Sequence, residues 1–209
     1  MANISAQDTP ISIDYTALKD IVLNDSTAYN NLLERYKRND ATLSHEEYAL
    51  VYYGFSFTPA YKGSMDTRKK ELTDLINNQK YEDAYTLGKN ILKENPVALY
   101  ALYNMYYLCQ ALEKPVEEAN TYILKYSKLL HTIALTGDGK DVNTAFKVIT
   151  VEDEYHLMYN YWGVEDIKSQ SLISNCDVFE FKSSKHFKGE KMYFDISRSL
   201  NYMQELFSK

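Results

Sequence analysis

The sequence predicts a helix-rich α+β protein, with tetratricopeptide-like helical hairpins followed by a small, mostly antiparallel sheet with flanking helices. Three observations predict it. KYEDAYTLGKNILKENP, residues 80–96, spaces Tyr81, Ala84 and Pro96 as the second helix of a tetratricopeptide hairpin does. LSHEEY, residues 43–48, carries a complete helix-start signal. After Leu135 the helical period gives way to short β-forming runs.

Taken in order, residues 1–13 are expected to be disordered, and 14–135 form a helical domain. Leu18, Ile21 and Val22 mark a first helix, and Tyr29, Leu32, Leu33 and Tyr36 a second behind Ser26 as its cap. Ser44 and Glu47 make a capping box, and Leu43 with Tyr48 a hydrophobic staple, which starts a third. Gly54, Pro59 and Gly63 punctuate 54–65 as a loop or linker. Two hairpins then fill 66–135: Leu72 and Leu75 pack in the first helix, Gly88 is a small-residue position in the second, and Leu102, Met105, Tyr106 and Cys109 face the neighbouring helix in the third. Two such units cannot bury their faces alone, so the rest of the chain must cover them.

Residues 136–209 are expected to be a small α+β unit packed on the helical part. TGDGKD is a turn, AFKVIT a strand, and VEDEYHLMYNYWG a helical piece closed by Gly163. QSLIS, DVFEFKS and KMYFDIS read as strands, and SSKHFKGE, with Gly189, as a hairpin connection. SRSLNYMQELF closes the chain as a helix with Leu200, Met203 and Phe207 on one face.

Composition bounds the function. At 209 residues the chain can bury one good core, or two small ones that share an interface. A net charge of −6, with Lys and Arg clustered only beside acids, argues against nucleic acid, because that affinity rests on clustered cations. No apolar run approaches the length of a membrane span. Cys109 and Cys176 could make one bridge, but a buried thiol fits Cys109 better. The opening MANISAQDTP lacks the regions of a signal peptide, yet Ile4, Ser5, Ala6 and Gln7 look like the end of one. An extracytoplasmic protein is expected if the start is trimmed or misassigned, and a cytoplasmic one otherwise.

His45, His131, His156 and His186 share no metal-ligand spacing, so neither metal nor cofactor is implied. The 20 tyrosines offer amphipathic rings instead. Tyr100, Tyr103, Tyr107 and Gln110, with Asp66, Lys69, Thr73 and Ile76, would face a groove suited to a protein, peptide or glycan, unless the chain's own C-terminal part fills it. That makes a non-enzymatic binding or scaffold module the leading expectation. The alternatives are a hydrolase-like site at the seam of repeats and sheet, built from Glu154, His156 and Asp195, and a structural subunit of a homodimer rather than a monomer. For Glu154 and its acidic neighbours the helix macrodipole is a sufficient explanation, and Asp195 fits a cap for the last helix.

LSHEEYALVYYGFSF, TGDGKDVNTAFKVITVEDEY, QSLI with CDVFEF, and KMYFDIS together resemble domain of unknown function family 4919. The similarity runs from about residue 14 to 200. It implies an α-helical front, a β-containing tail and an origin in Bacteroidetes-type bacteria, often with export. It implies no activity and no site residues.

Overall fold

The computed structural model describes residues 9–208; the signal-like end at residues 4–7 lies outside them. Residues 9–13 differ from the expected disorder. Ile11 and Ile13 pack on the core, and the Ile11 N–H donates to the Leu135 carbonyl at 2.9 Å. This stretch is a strap across the end of a helix.

Helix α1 (Tyr15–Asn24) is capped by Asp14, whose carboxylate accepts from the Thr16 and Ala17 N–H groups. In α2 (Ser26–Lys37) the cap is Asp25, which accepts from Ala28; Ser26 is already helical, a correction of one residue. Helix α3 (His45–Phe55) starts with both halves of the capping box, Glu47 N–H to Ser44 Oγ and Ser44 N–H to Glu47 Oε2. Ser44→Ala is expected to cost about 1 kcal/mol, read as a lower urea midpoint at unchanged slope. A loss below ~0.3 kcal/mol would show that the Arg35 to Glu47 ion pair holds this helix start instead.

Gly54 does not break α3. A Cβ there would lie 2.8 Å from the Tyr29 ring, so glycine lets α2 approach rather than ending the helix. Irregular chain with one 3₁₀ turn (Gly63–Met65) follows. Helices α4 (Arg68–Asn77), α5 (Tyr81–Glu94), α6 (Leu99–Ala111) and α7 (Val116–Ala134) then pack each on the next. Leu72, Ala84, Ile91, Ala101, Met105 and Leu108 fill the space between the first three. A second, larger apolar cluster runs from Tyr36 and Tyr52 through Leu129 and Ile133 to Phe146, Phe179 and Phe194. It joins α2, α3 and α7 to the sheet.

The sheet has the order β1-β4-β3-β2. Strands β2 (Val164–Ile173), β3 (Cys176–Ser184) and β4 (Lys191–Asp195) are antiparallel, with Val178 opposite Tyr193. AFKVIT contributes only the short β1 (Phe146–Lys147), and it pairs parallel to β4. Strand β2 is longer than QSLIS because it begins directly after Gly163, and it carries a bulge between Ile167 and Ser169. Between β1 and β2 run α8 (Val151–His156) and a wide π-turn (Leu157–Trp162), ended by Gly163 in the left-handed region at φ 65°.

The last helix, α9 (Ser197–Phe207), is rotated from its expected face. Leu200 is half-buried on the core, but Met203 and Phe207 are exposed, Phe207 by 80%. The inward residues are Arg198 and Ser199, and Arg198 is only 3% exposed. Its guanidinium donates to Ser56 Oγ at 3.1 Å and the Ser56 carbonyl at 2.7 Å, and it stacks over Phe57 and Tyr61. Those bonds fix the rotation of α9. Cys109 and Cys176 are both buried and free, without the bridge the sequence allowed. Among the described residues no helix is long and apolar enough to cross a membrane.

Candidate functional site

A hollow of about 580 Å³ opens where the end of α7, the turn after it, the π-turn and the β3–β4 connection meet. Its floor is Trp162. The π-turn delivers that ring by fitting an extra residue into the helix before Gly163 ends it, an irregularity common at functional sites. Phe146 stacks on the indole at 5.8 Å, and Tyr161 and Phe187 meet it edge-on at 5.0 and 5.6 Å. The ring is therefore clamped before anything binds. The Trp162 carbonyl holds the β3–β4 connection in place, accepting from Ser184 Oγ at 2.6 Å and the His186 N–H at 3.1 Å. The indole Nε1 is buried with no acceptor.

The opposite wall is the turn of residues 137–144. A Cβ on Gly137 would run into the Thr144 carbonyl, and one on Gly139, at φ 66°, into the Phe146 ring. Only glycine fits such close backbone approach. Gly139 is further tied by its N–H to the Thr144 carbonyl and by its carbonyl to the Tyr193 N–H on β4. Asp138 closes the turn, accepting from Thr144 Oγ1 at 2.6 Å and the Lys140 N–H at 3.1 Å. Those bonds, that from Thr144 foremost, hold its carboxyl below the usual range. Pro10, Leu135 and Phe187 add apolar lining, and Asn143, His186 and Lys188 stand at the polar margin.

The sequence marks TGDGKD and SSKHFKGE each as a connection but does not bring them together with Trp162. The available signal was the single Trp directly before the glycine that ends a helical piece. Three segments far apart in the chain, around residues 134–144, 162 and 186–188, come together here, and periodicity says nothing about that.

The expected groove residues are distributed along α6. Tyr100 is half-buried with its hydroxyl 3.5 Å from Asp66. Tyr103 is exposed, and its ring meets Tyr126 at 5.3 Å and His156 at 6.2 Å. Tyr107 is exposed and packs edge-on against Tyr81, while Gln110 donates to the Tyr106 hydroxyl. Residues of α8 thus cover one end of this face and leave Tyr107 and Gln110 open.

The expected seam residues stand in three different neighbourhoods. Glu154 is fully buried, and burial, reinforced by the adjacent Asp177 carboxyl, pushes its acid up to about 10. Both Glu154 carboxyl oxygens are buried without a hydrogen-bond partner, while Asp177 accepts from Gln170 at 3.1 Å. His156 is pushed down to about 4 by burial and then by Lys69. Asn160 donates to the Tyr126 oxygen at 2.8 Å, which leaves the Tyr126 hydroxyl proton for His156 Nδ1 at 2.9 Å. Asp195 pairs with Lys147 at 2.7 Å and accepts from the Ser197 N–H at 2.9 Å; the cap position of α9 is Ile196, one residue past the Asp195 expected there, and carries no side-chain cap bond.

A second, much smaller cavity of about 30 Å³ lies between Asp66, Lys69, Tyr100, Glu152 and Asp153, room for about one water. Asp153 is buried there, raised to about 7 by burial, with the Tyr52 hydroxyl donating at 2.6 Å. Among the described residues no group of three or more His, Cys, Asp or Glu is placed to hold a metal ion.

Fold and hollow together define a helix-rich α+β protein with an aromatic-floored cavity at the junction of its helical and β parts. The chain belongs to the family described as Domain of unknown function (DUF4919), whose model matches residues 16–204. No curated protein and no solved structure matches it.

Proposed function

We propose that the protein is a non-enzymatic binding module that holds its ligand in the Trp162 hollow. The observation that carries this reading is the size and construction of the hollow: a volume in the range of small-molecule sites, an apolar floor, and few polar groups at the margin. Its support is rigid. Three rings fix the indole, and glycine-dependent contacts fix the facing turn, so little ordering is left to oppose binding. The α6 tyrosines support a second face for a peptide or glycan, since Tyr103 and Tyr107 stay exposed.

A ligand that prefers the folded state must raise its apparent stability. In a thermal-shift screen of peptides, glycans and small organic molecules, at least one compound is expected to raise Tm. The rise should vanish in Asn143→Trp, which plugs the hollow, and persist in Tyr103→Ala. A shift lost on Tyr103→Ala and kept on Asn143→Trp would move the site to α6. No shift from any class would count against the binding reading itself.

A further inference from the structure

We infer that the hollow selects an amphipathic anion, a flat apolar body with an acidic head, and this rests on the binding reading above. The floor decides the body. Trp162 and Phe187 offer aromatic surface, and Leu135 and Pro10 extend it with aliphatic surface, which favours a flat apolar group over a hydrated one.

The margin decides the head. Lys140, His186 and Lys188 stand around the opening, in a chain whose overall charge is −6. Lys188 has no ion-pair partner among the described residues. The one acid in the lining, Asp138, is already committed: Oδ1 accepts from Thr144 and the Lys140 N–H, and Oδ2 pairs with Lys140 Nζ at 3.0 Å. A ligand therefore meets an unpaired ammonium and a carboxylate whose acceptor capacity is largely used. That is a preference for negative charge at one end of the site only. A neutral polyol would find few acceptors for its hydroxyl groups, and a cation would meet Lys188.

Trp162 is the single Trp of the sequence, so the emission of the full-length protein reports directly from the floor. The probes are anilinonaphthalene sulfonate and its uncharged counterpart phenylnaphthylamine, which share the ring system and differ in the acidic group. The sulfonate is expected to quench Trp162 saturably and to bind at least ~10-fold tighter than the amine, as one charge-assisted contact allows. That advantage should shrink as salt is raised. In the double variant Lys140→Gln, Lys188→Gln the sulfonate should fall to the affinity of the amine, with the amine unchanged. Phe207→Ala should alter neither probe, which removes the exposed tip of α9 as the source.

Equal affinities that ignore both salt and the lysine variants would overturn the anion preference and leave the hollow as a binding site. Failure of both probes to quench Trp162 would overturn the hollow as well. Sulfonate binding lost in Phe207→Ala but retained in the lysine variant would place the anion elsewhere and refute the inference.

Discussion

Replacing Arg198 by alanine is expected to destabilise the protein by about 4 kcal/mol, the range in which removing a buried charged partner falls. The guanidinium is 3% exposed and does three things at once. It satisfies the Ser56 carbonyl and hydroxyl at the C-terminus of α3, where helix carbonyls lack internal partners. It places positive charge at the negative end of that helix. It also fills the space between Phe57, Tyr61 and Tyr202. Alanine leaves the buried Ser56 groups without a donor and opens a void between the rings. Arg198→Lys keeps the charge but not the planar fork, so it should recover less than half of the loss. Urea unfolding measures both; a loss under ~1 kcal/mol for alanine would mean that water or Glu205, 3.7 Å from the guanidinium, takes over.

Glu154→Gln is expected to act in the opposite direction, and only above acidic pH. The carboxyl is raised from its ordinary 4.5 to about 10 by burial and by Asp177. A group whose folded value is raised binds more protons folded than unfolded between those two values. Its stabilising contribution is therefore complete below pH 4.5 and falls as pH rises toward 10. Glutamine cannot ionise, so the variant escapes that loss. At pH 8 it should be more stable than the parent by on the order of 3 kcal/mol, with the difference closing below pH 4.5. Asp153, raised to about 7, adds to the decline of the parent from its ordinary 3.8 upward. His156, lowered to about 4, opposes both, contributing loss as pH falls from 6.5. Thermal melts of parent and variant from pH 4 to 9 would test this, and a difference that does not change with pH would refute it.

What the sequence made legible is what local chemistry encodes. The α3 capping box, Gly163 as a left-handed helix end and the β3–β4 connection all follow from a few adjacent residues. The misreadings share one cause, which is tertiary contact outweighing local signal. Gly54 reads as punctuation until the Tyr29 ring is seen against it. The apolar stripe Leu200, Met203, Phe207 reads as the inward face of α9, yet the bonds between Arg198 and Ser56 bridge 142 residues and rotate the helix. The hollow was invisible for the same reason. Its floor, turn and margin are each ordinary alone, and only β1, tucked parallel beside β4, brings Phe146 under Trp162. The three seam residues show how partners differ within one region: Glu154 lies beside Asp177, His156 meets Tyr126 and Asp195 pairs with Lys147.

The π-turn at Leu157–Trp162 has a consequence for how this chain can tolerate change in length. Each residue of an α-helix advances the direction of its side chain by about 100°. A π-turn holds one residue more than an α-turn, so it works as a phase shifter between α8 and the sheet. Loss of one residue within it would let the hydrogen bonding relax to the ordinary pattern at no cost to α8. Everything beyond would then arrive out of phase, with the indole turned away from Phe187 and Gly163 no longer in line with β2. A substitution in this segment changes packing at one place, whereas a single deletion changes an angle, and the floor of the hollow exists at only one angle.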